Sequence, residues 1–527
     1  MADRPPVNKW LVTISVTFGT LMGAIDSSIV NVAVPHLRGA LGATVEEITW
    51  VTTGFVIATV LVMPLTAFLG RMFGQKRVYM FALMLFVVGS GLCGLARSLP
   101  AMVIFRVVQG LGAGALQPTE QAILRQTFPP KEQGMAMALF GLAVVIGPAF
   151  GPTLGGWIVD NYSWPWIFYI NLPVGALALF MVSRFVHEPE DVRAANVAQA
   201  ARQRKNMDWA GIALLCIGLA AMQYVLEEGQ RNYWFESRLI FALTLTAIFV
   251  LAAFVIRELT APVPVVDLTL FKDPVFLSGT LIGSVMFAVL LSITFLLPVF
   301  MQELLGFTAT DSGLALMPRS LAMMVAMPIV GRLYNRVSPR LFVGFGILLF
   351  GLTAVDMSHY TLDTNARGIV GTLIVQGVAF SCLFIPLTTV ALSSIPRTKL
   401  ADATGLNSLL RQIGGSIGLA LFASLINRYS VQARTGMVAH LVPGRPELLS
   451  RLTMIEGAFR SGGLDATSAQ VAARRVLDFA LTRQATMLTF EKLFLLSGFA
   501  FIAVMPLLFL LKSATHDAPK VEVHVEM

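Results

Sequence analysis

Residues 79–95 read "YMFALMLFVVGSGLCGL", a run that contains no charged side chain. As an α-helix with a rise of about 1.5 Å per residue, this run and a few flanking residues can cross the roughly 30 Å hydrocarbon core of a bilayer. Comparable apolar runs recur along the chain in both directions. The stretch therefore predicts a transmembrane helix, and its recurrence predicts an all-α polytopic membrane protein.

The composition of the whole chain agrees with lipid as its main solvent. The 527 residues are 56% hydrophobic and 13% charged, whereas a soluble domain carries about 25% charged residues. The formal net charge of +8 fits cytoplasmic loops and contact with anionic lipids. Nucleic acid is not an expected partner, because no basic cluster with interleaved aromatic residues occurs. The three cysteines lie far apart in apolar runs, which indicates core residues and no metal site.

Hydropathy predicts fourteen membrane-spanning helices. They lie near residues 11–34, 46–69, 78–97, 101–124, 135–158, 165–187, 208–228, 238–257, 275–302, 310–333, 340–360, 366–391, 400–427 and 490–512. Residues 428–489 are expected to form a long outer loop. Within it, "SAQVAARRVLDFALTR" (468–483) predicts a helix with Ser468 as its N-cap.

The charges of the short loops predict the orientation of the chain in the membrane. The positive-inside rule places loops rich in lysine and arginine in the cytoplasm. With the N-terminus inside, the cytoplasmic segments carry most of the basic residues, whereas the short outer loops carry few. We therefore expect both termini to be cytoplasmic. The basic residues of these segments include Arg71, Lys76, Arg77, Arg332, Arg336 and Arg340, with Arg193, Arg202, Arg204 and Lys205 in the linker 188–207.

An internal repeat divides the chain. "AFLGRMFGQK" (67–76) follows the second span and "GRLYNRVSPR" (331–340) follows the tenth, and "VQG" occurs at 108–110 and at 375–377. Repeated halves are typical of transporters whose site lies between the halves near the membrane midplane. The predicted units are a six-helix bundle (1–187), a cytoplasmic linker with two added helices (188–273), a second six-helix bundle that includes the outer loop (274–512) and a cytoplasmic tail (513–527).

The two basic loops have two readings. As positive-inside anchors they would only orient the chain. As latches, their contacts would differ between the inward-open and outward-open states, and their recurrence in both halves favours this second reading. The predicted gating residues are Arg71, Gly74, Lys76, Arg77, Asn335, Arg336 and Arg340.

The fifth span contains "GPAFGPTLGG" (147–156). Gly147, Gly151 and Gly155 share one helix face and permit close approach of another backbone, and Gly156 extends the small-residue run. Pro148 and Pro152 remove backbone donors and bend the helix. Ordinary small-residue packing explains part of this pattern. The two prolines favour a kinked helix in a sealed seam between the moving halves.

The first span, "LMGAIDSSIVNVAV" (21–34), carries a carboxylate, Asp26, among apolar residues. At about 1.5 Å per residue, Asp26 lies about 5 Å beyond the midplane, and Arg106 of the fourth span lies about 10 Å beyond it on the same side. The two side chains can interact if the spans adjoin. Desolvation favours the neutral acid and a nearby guanidinium favours the carboxylate, so the balance can place protonation of Asp26 near physiological pH. Asp26 and Arg106 are the predicted proton-coupling residues.

Other polar residues within spans are candidates for a substrate cavity. A cation at the centre of the membrane costs about 2.5–3.5 kcal/mol and needs carbonyls, water or a carboxylate nearby. For Arg319 and Arg411 the alternative is bonding to free helix carbonyls beside Pro318 and the pair Gly414 and Gly415. The cavity is expected to be lined by aromatic and methionine side chains. The candidates are Asn31, Gln109, Gln117, Arg319, Asn407 and Arg411.

Enzymatic activity is not expected. The six histidines are scattered, and no glycine-rich nucleotide-binding loop occurs. No cofactor or metal is predicted, and the absence of an ATP-binding motif indicates an ion gradient as the energy source.

Taken together, these motifs resemble the major facilitator superfamily, and within it the fourteen-span drug:proton antiporters of the EmrB/QacA type, most closely the EmrB-like pumps. The resemblance covers nearly the whole chain. It rests on the order of the basic loop, "GPAFGPTLGG" and the stretches "IDSSIVNVAVP" (25–35), "RVVQG" (106–110), "DNYSWPWIFYINLPVG" (160–175), "PVVDLTLF" (264–271) and "NSLLRQIGGSIG" (407–418).

The resemblance implies two six-helix bundles with two extra helices between them, in a bacterial cytoplasmic membrane. It implies export of amphipathic compounds in exchange for protons, with Asp26, Arg106 and residues 147–156 matching the first-helix acid, the fourth-helix arginine and the antiporter motif. A periplasmic adaptor of the EmrA type and an outer-membrane channel are candidate partners. The alternative is a proton-coupled exporter or importer of one specific metabolite.

One departure from the superfamily pattern concerns the basic loops. An acid usually stands where this chain has Arg71, and the second copy has Asn335. The usual latch between that acid and a helix end is therefore not supported in either copy.

Overall fold

The computed structural model describes residues 8–189, 193–194, 200, 203, 207–442 and 444–511. These residues are helical with short connections and contain no strand. Fourteen helices are long and apolar enough to cross a membrane, which confirms the predicted number of spans. The tail 513–527 and the linker residues Arg202, Arg204 and Lys205 lie outside the described residues.

The first half contains six spans, several of them built from two helical segments. Its helices are α1 (Lys9–Leu41), α2 (Val45–Ile48), α3 (Trp50–Val62), α4 (Leu65–Phe73), α5 (Gln75–Gly94), α6 (Leu99–Thr127), α7 (Gln133–Asn161), α8 (Trp166–Tyr169) and α9 (Asn171–Phe185). Local chemistry sets some of their ends. Asn8 caps α1 by accepting a hydrogen bond from the Trp10 amide at 3.0 Å. A capping box formed by Thr44 and Glu47 begins α2.

The remaining spans follow an inserted pair of helices. The pair is α10 (Trp209–Glu228) and α11 (Arg238–Thr260), and the second half consists of α12 (Pro274–Val299), α13 (Ala309–Leu333), α14 (Pro339–Met357), α15 (Ala366–Ala391), α16 (Leu400–Val438), α17 (Pro446–Ser461) and α18 (Ala466–Val504). The inserted helix α10 contacts both halves. Glu228 accepts a hydrogen bond from Thr53 of α3 at 3.2 Å, and Gln223 donates to Ser416 of α16 at 2.8 Å.

The predicted outer loop is largely helical. Helix α16 continues to Val438, α17 covers Pro446–Ser461, and α18 begins at Ala466, so the segment 428–489 between the last two predicted spans contains more helix than the one predicted over 468–483. Hydropathy ends a span where polar residues begin, but the backbone hydrogen bonds of a helix continue past that point. The helix predicted over 468–483 is present. Its cap is Asp465, which accepts from the Thr467 and Ser468 amides at 3.0 and 3.1 Å, and is not Ser468.

The two halves touch along α7 and α13. Gly134 and Gly331 allow this close approach, because a Cβ on Gly134 would lie 2.7 Å from the Gly331 carbonyl oxygen. Further contacts join the halves at the end of the bundle that carries Arg71 and Asn335, called here the basic-loop end. There Arg125 of α6 donates to the carbonyl oxygen of Leu392 at 2.6 Å. The halves are therefore closed against each other at the basic-loop end.

Candidate functional site

Asp26 of α1 and Arg106 of α6 form an ion pair inside the first half. Arg106 Nη1 lies 2.7 Å from Asp26 Oδ2, and the side chains are 1% and 0% exposed respectively. Removing either partner would leave an uncompensated charge in a dry interior, which is strongly unfavourable. The pair therefore depends on both members.

Two amides complete the shell of the Asp26 carboxylate. Gln109 Nε2 and Asn171 Nδ2 donate to Asp26 Oδ1 at 2.8 and 2.9 Å. Asn171 also donates to Ser90 Oγ at 3.0 Å, and this hydroxyl donates to the carbonyl oxygen of Phe168 at 2.9 Å. With Arg106, three donors address one carboxylate.

The Arg106 guanidinium is also held on its other sides. Its Nε donates to the carbonyl oxygen of Val51 at 3.1 Å, and its Nη1 donates to Gln109 Oε1 at 2.7 Å. The ring centroid of Phe55 lies 4.0 Å from the guanidinium carbon, a cation–π distance. Arg106 therefore has partners that could hold it if Asp26 became neutral.

Gln109 was predicted to line the substrate cavity, but in the structure it is a hydrogen-bond partner of the Asp26 carboxylate. The sequence-based prediction also missed Asn171 and Phe55. Asn171 carried a usable signal, since an amide within an apolar span needs polar partners. The sequence contained no signal for Phe55, because aromatic residues are common in membrane helices.

The glycines of 147–156 pack against α1. A Cβ on Gly147 would lie 2.3 Å from the Ala24 carbonyl carbon, and one on Gly151 would lie 2.5 Å from Ser28 Cβ. Gly155 approaches the Ile29 backbone in the same way, whereas a Cβ on Gly156 would have open space. Helix α7 does lie in the seam between the halves, but these three glycines face α1 of the same half. They join α7 to the helix that carries Asp26, and Gly134 serves the contact between the halves.

A small cavity between the halves collects two of the predicted residues. Gln117 and Arg411 line it, with Phe140, Val144, Phe287, Phe384, Ser408 and Gln412. The aromatic lining agrees with expectation, but no methionine contributes to this cavity. The Arg411 guanidinium carbon lies 5.5 Å from the ring centroids of both Phe287 and Phe384.

The buried arginines of the second half have few partners. Arg411 is 5% exposed, and its Nη2 has no hydrogen-bond partner among the described residues. Arg319 is equally buried and donates through Nη2 to Thr294 Oγ1 at 3.0 Å, while its Nε is without a partner. Neither bonds to the helix carbonyls that were the predicted alternative. Within the described part of the chain, neither is paired with a carboxylate.

Two further cavity candidates lie elsewhere. Asn31 of α1 is exposed, and Asn407 of α16 is 2% exposed with its Nδ2 unpartnered. Neither lines the cavity that contains Arg411.

The first basic loop contacts the second half through Arg71. Arg71 Nη1 forms an ion pair with Asp402, in the first turn of α16, and Nη2 donates to the Val265 carbonyl oxygen at 3.1 Å. Both side chains are largely buried. The Lys76 amide donates to Glu188 at 2.9 Å within the same region. A bond between this loop and a helix end thus exists, with the basic residue on the loop and the acid on the helix.

The second basic loop makes hydrogen bonds to backbone carbonyls, whereas the first loop makes an ion pair. Asn335 donates to the carbonyl oxygen of Lys131, and Arg340 donates to that of Phe509 at 3.2 Å. Arg77 of the first loop and Arg336 of the second are exposed. The two copies therefore share a position in the fold and differ in their bonding.

Fourteen apolar helices, an internal repeat and a polar site buried between helices define a secondary transporter. The family model of the Major Facilitator Superfamily matches residues 16–419, and the chain belongs to this superfamily.

Among curated relatives, the chain is 37% identical to the "Multidrug export protein EmrB" of Haemophilus influenzae over 83% of this chain and 84% of that protein. It is 32% identical to the "Fatty acid resistance protein FarB" of Neisseria gonorrhoeae, over 98% and 99% of the two chains. It is 31% identical to the Escherichia coli EmrB over 95% of each.

Solved structures agree on the fold. The human organic anion transporter MFSD10 matches with a TM-score of 0.58 and 15% identity, covering 94% of this chain and 100% of that one. The proton:xylose symporter XylE matches with a TM-score of 0.57 and 15% identity, covering 82% and 90%. The fold class predicted from the sequence is confirmed.

Proposed function

We propose that this protein exports amphipathic and hydrophobic compounds by alternating access in exchange for protons. The observation that carries the proposal is the buried ion pair of Asp26 and Arg106, a titratable group inside a membrane transporter. The names of the relatives, multidrug export and fatty acid resistance, support efflux as the direction of transport.

Protonation of Asp26 would change the forces on α1 and α6. A neutral Asp26 no longer attracts Arg106, which can keep its bonds to Val51 and Gln109 and its stacking on Phe55. Because a proton binds the two conformations with different affinity, it shifts the population between them. The close packing of α7 on α1 would transmit this change to the helix that contacts the second half.

The Arg411 cavity is our candidate for the inner end of the substrate path. Three phenylalanine rings provide an apolar surface, and Arg411 offers an unpartnered N–H group at its edge. This combination suits a compound with a flat or aliphatic body and an acidic or hydrogen-bond-accepting group. The absence of a carboxylate among the lining residues disfavours dications.

The positive-inside rule places the basic-loop end in the cytoplasm, and the halves are closed against each other there. This supports a conformation in which the space between the halves is closed to the cytoplasm. In this state the ion pair of Arg71 with Asp402 would hold the two halves together, with the base on the loop and the acid on the helix. Asn335 of the second loop would add its hydrogen bond to Lys131. Positive loops support cytoplasmic termini and a bacterial cytoplasmic membrane. The helices from α16 to α18 extend beyond the expected spans and are the candidate surface for a periplasmic adaptor and an outer-membrane channel.

Everted membrane vesicles test the proposal. Addition of an exported drug to vesicles with an acidic interior should collapse the pH gradient and load the drug, and a protonophore should abolish loading. Asp26→Asn should abolish gradient-driven loading, whereas Asp160→Asn, which alters an exposed carboxylate, should not. Retained gradient-driven loading by Asp26→Asn would refute the role of Asp26.

The alternative is a transporter of one specific metabolite. A susceptibility panel with several unrelated amphipathic drugs, with and without the transporter, separates the two. Protection against a single compound, or uptake where efflux is expected, would favour the alternative.

A further inference from the structure

Glu120 is a second buried carboxyl group in the first half. It lies in α6 and is 0% exposed. Thr17 of α1 donates to its Oε1 at 3.0 Å, and its Oε2 has no hydrogen-bond partner among the described residues. In contrast to Asp26, it forms no ion pair with a lysine or arginine in the part of the chain that the structure describes.

The neighbours that the structure gives Glu120 on α1 and α5 are hydroxyl groups. Helix α1 presents the hydroxyls of Thr17 and Thr20, and the Thr20 hydroxyl is also without a partner. Helix α5 presents Tyr79, whose hydroxyl donates to the Val16 carbonyl oxygen. Burial of a carboxylate without a cation is strongly unfavourable. In this conformation no cation among the described residues balances a negative charge on Glu120, so its location favours a proton on the carboxyl group.

The position of Glu120 differs from that of Asp26. At about 1.5 Å per residue, Glu120 lies about 21 Å from Arg106 along α6, toward the basic-loop end. Its neighbours Pro118, Thr119 and Ala122 line a small cavity together with Thr404 of α16 and others. Glu120 itself does not line this cavity and faces α1 from the same turn of α6. The cavity lies where the halves meet, so their separation at the basic-loop end would bring water to this turn of α6.

We propose that Glu120 is a second proton site, on the exit path from Asp26 to the cytoplasm. This role rests on the proposed proton exchange. When the halves separate at the basic-loop end, the neutral acid gives its proton to cytoplasmic water and becomes a carboxylate. Asp26, which has taken up one proton from the outer side and released Arg106, then gives up that proton as it pairs again with Arg106. This proton passes through water to the Glu120 carboxylate. Both carboxyl groups return to their starting states, and one proton has crossed.

Purified transporter in proteoliposomes tests this role, with Glu120→Gln as an analogue of the neutral acid. Two reactions are compared with a drug that the wild type exports. Exchange of labelled for unlabelled drug needs no net proton movement and should be retained. Accumulation driven by a pH gradient needs proton release and should fall at least about tenfold, the equivalent of about 1.4 kcal/mol. Thr17→Val removes the hydrogen bond but keeps the carboxyl, so it should retain both reactions.

The other outcomes are also decisive. Gradient-driven accumulation at the wild-type level in Glu120→Gln overturns the role. Loss of both reactions in folded protein also overturns it, because that pattern indicates a structural residue. If Glu120→Gln does not fold, Glu120→Asp decides: a shifted pH profile of transport supports the role, and an unchanged profile overturns it. Gradient-driven transport that is absent from the wild type would refute the proposed proton exchange itself.

Discussion

The two halves share a fold, but the arginines buried near the middle of their spans have different partners. In the first half, Arg106 is neutralised by Asp26 and held on further sides by Val51 and Phe55. In the second half, Arg319 and Arg411 are buried to a similar degree, and neither has a carboxylate partner among the residues that the structure describes. A balanced pair responds to a proton, whereas an uncompensated cation attracts an anionic ligand. In the proposed function, the first half therefore binds the proton and the second half binds the substrate.

The largest expected difference between the halves concerns stability. Arg106→Met leaves Asp26 buried and unpaired and should lower the free energy of unfolding by about 3–5 kcal/mol. Arg411→Met removes a cation that has no charge partner and should leave stability unchanged or raise it. Thermal unfolding of the two purified variants measures this difference. Equal destabilisation would contradict the contrast between the halves, and the double variant Asp26→Asn with Arg106→Met should recover part of the loss.

Substrate preference should depend on the second half. Arg411→Gln removes a charged donor, and a hydrogen bond to a charged group contributes about 1.5–3 kcal/mol. Affinity for an amphipathic carboxylic acid should therefore fall at least about tenfold, while affinity for a neutral amphipath of the same size should not change.

Binding to purified protein, measured for both compounds, checks this selectivity. Arg411→Lys is the control that keeps the positive charge and should retain most of the preference. An equal loss for both compounds would indicate that Arg411 shapes the cavity and does not select charge.

The smallest expected effect concerns the two basic loops. Asp402→Asn removes the acid from the latch with Arg71 and should lower the transport rate a few-fold, since coupling within such a pair is about 1 kcal/mol. The exchange of both charges, Arg71→Asp with Asp402→Arg, should restore part of the rate. Arg336→Gln in the second loop alters an exposed residue and should have no effect. Transport by the charge-exchanged protein that is no better than Asp402→Asn would argue against a latch.

Some site features were accessible from the sequence because they depend on position along one helix. Depth follows from the rise per residue, so the similar depth of Asp26 and Arg106 could be estimated. The face shared by Gly147, Gly151 and Gly155 follows from helical periodicity. The partner of that face could not be inferred, and α1 of the same half proved to be the neighbour, not the opposite half.

The contrast extends to the latch. The sequence shows that Arg71 occupies the loop position where the superfamily usually has an acid. The compensating acid, Asp402, lies far away in the chain, and a single sequence carries no signal that pairs the two. Likewise, the exposure of Asn31 and the unpartnered state of Arg411 depend on which helices pack around them.

The sequence by itself determined the fourteen spans, the duplication and the presence of charged residues at membrane depth. These features follow from hydropathy, loop charge and helix rise, which are properties of contiguous segments. The tertiary structure alone decided that Asn171 completes the Asp26 shell, that Phe287 and Phe384 flank Arg411 and that Glu120 forms no ion pair with the described residues. These facts depend on contacts between helices distant in the chain, where packing selects the side chains that meet.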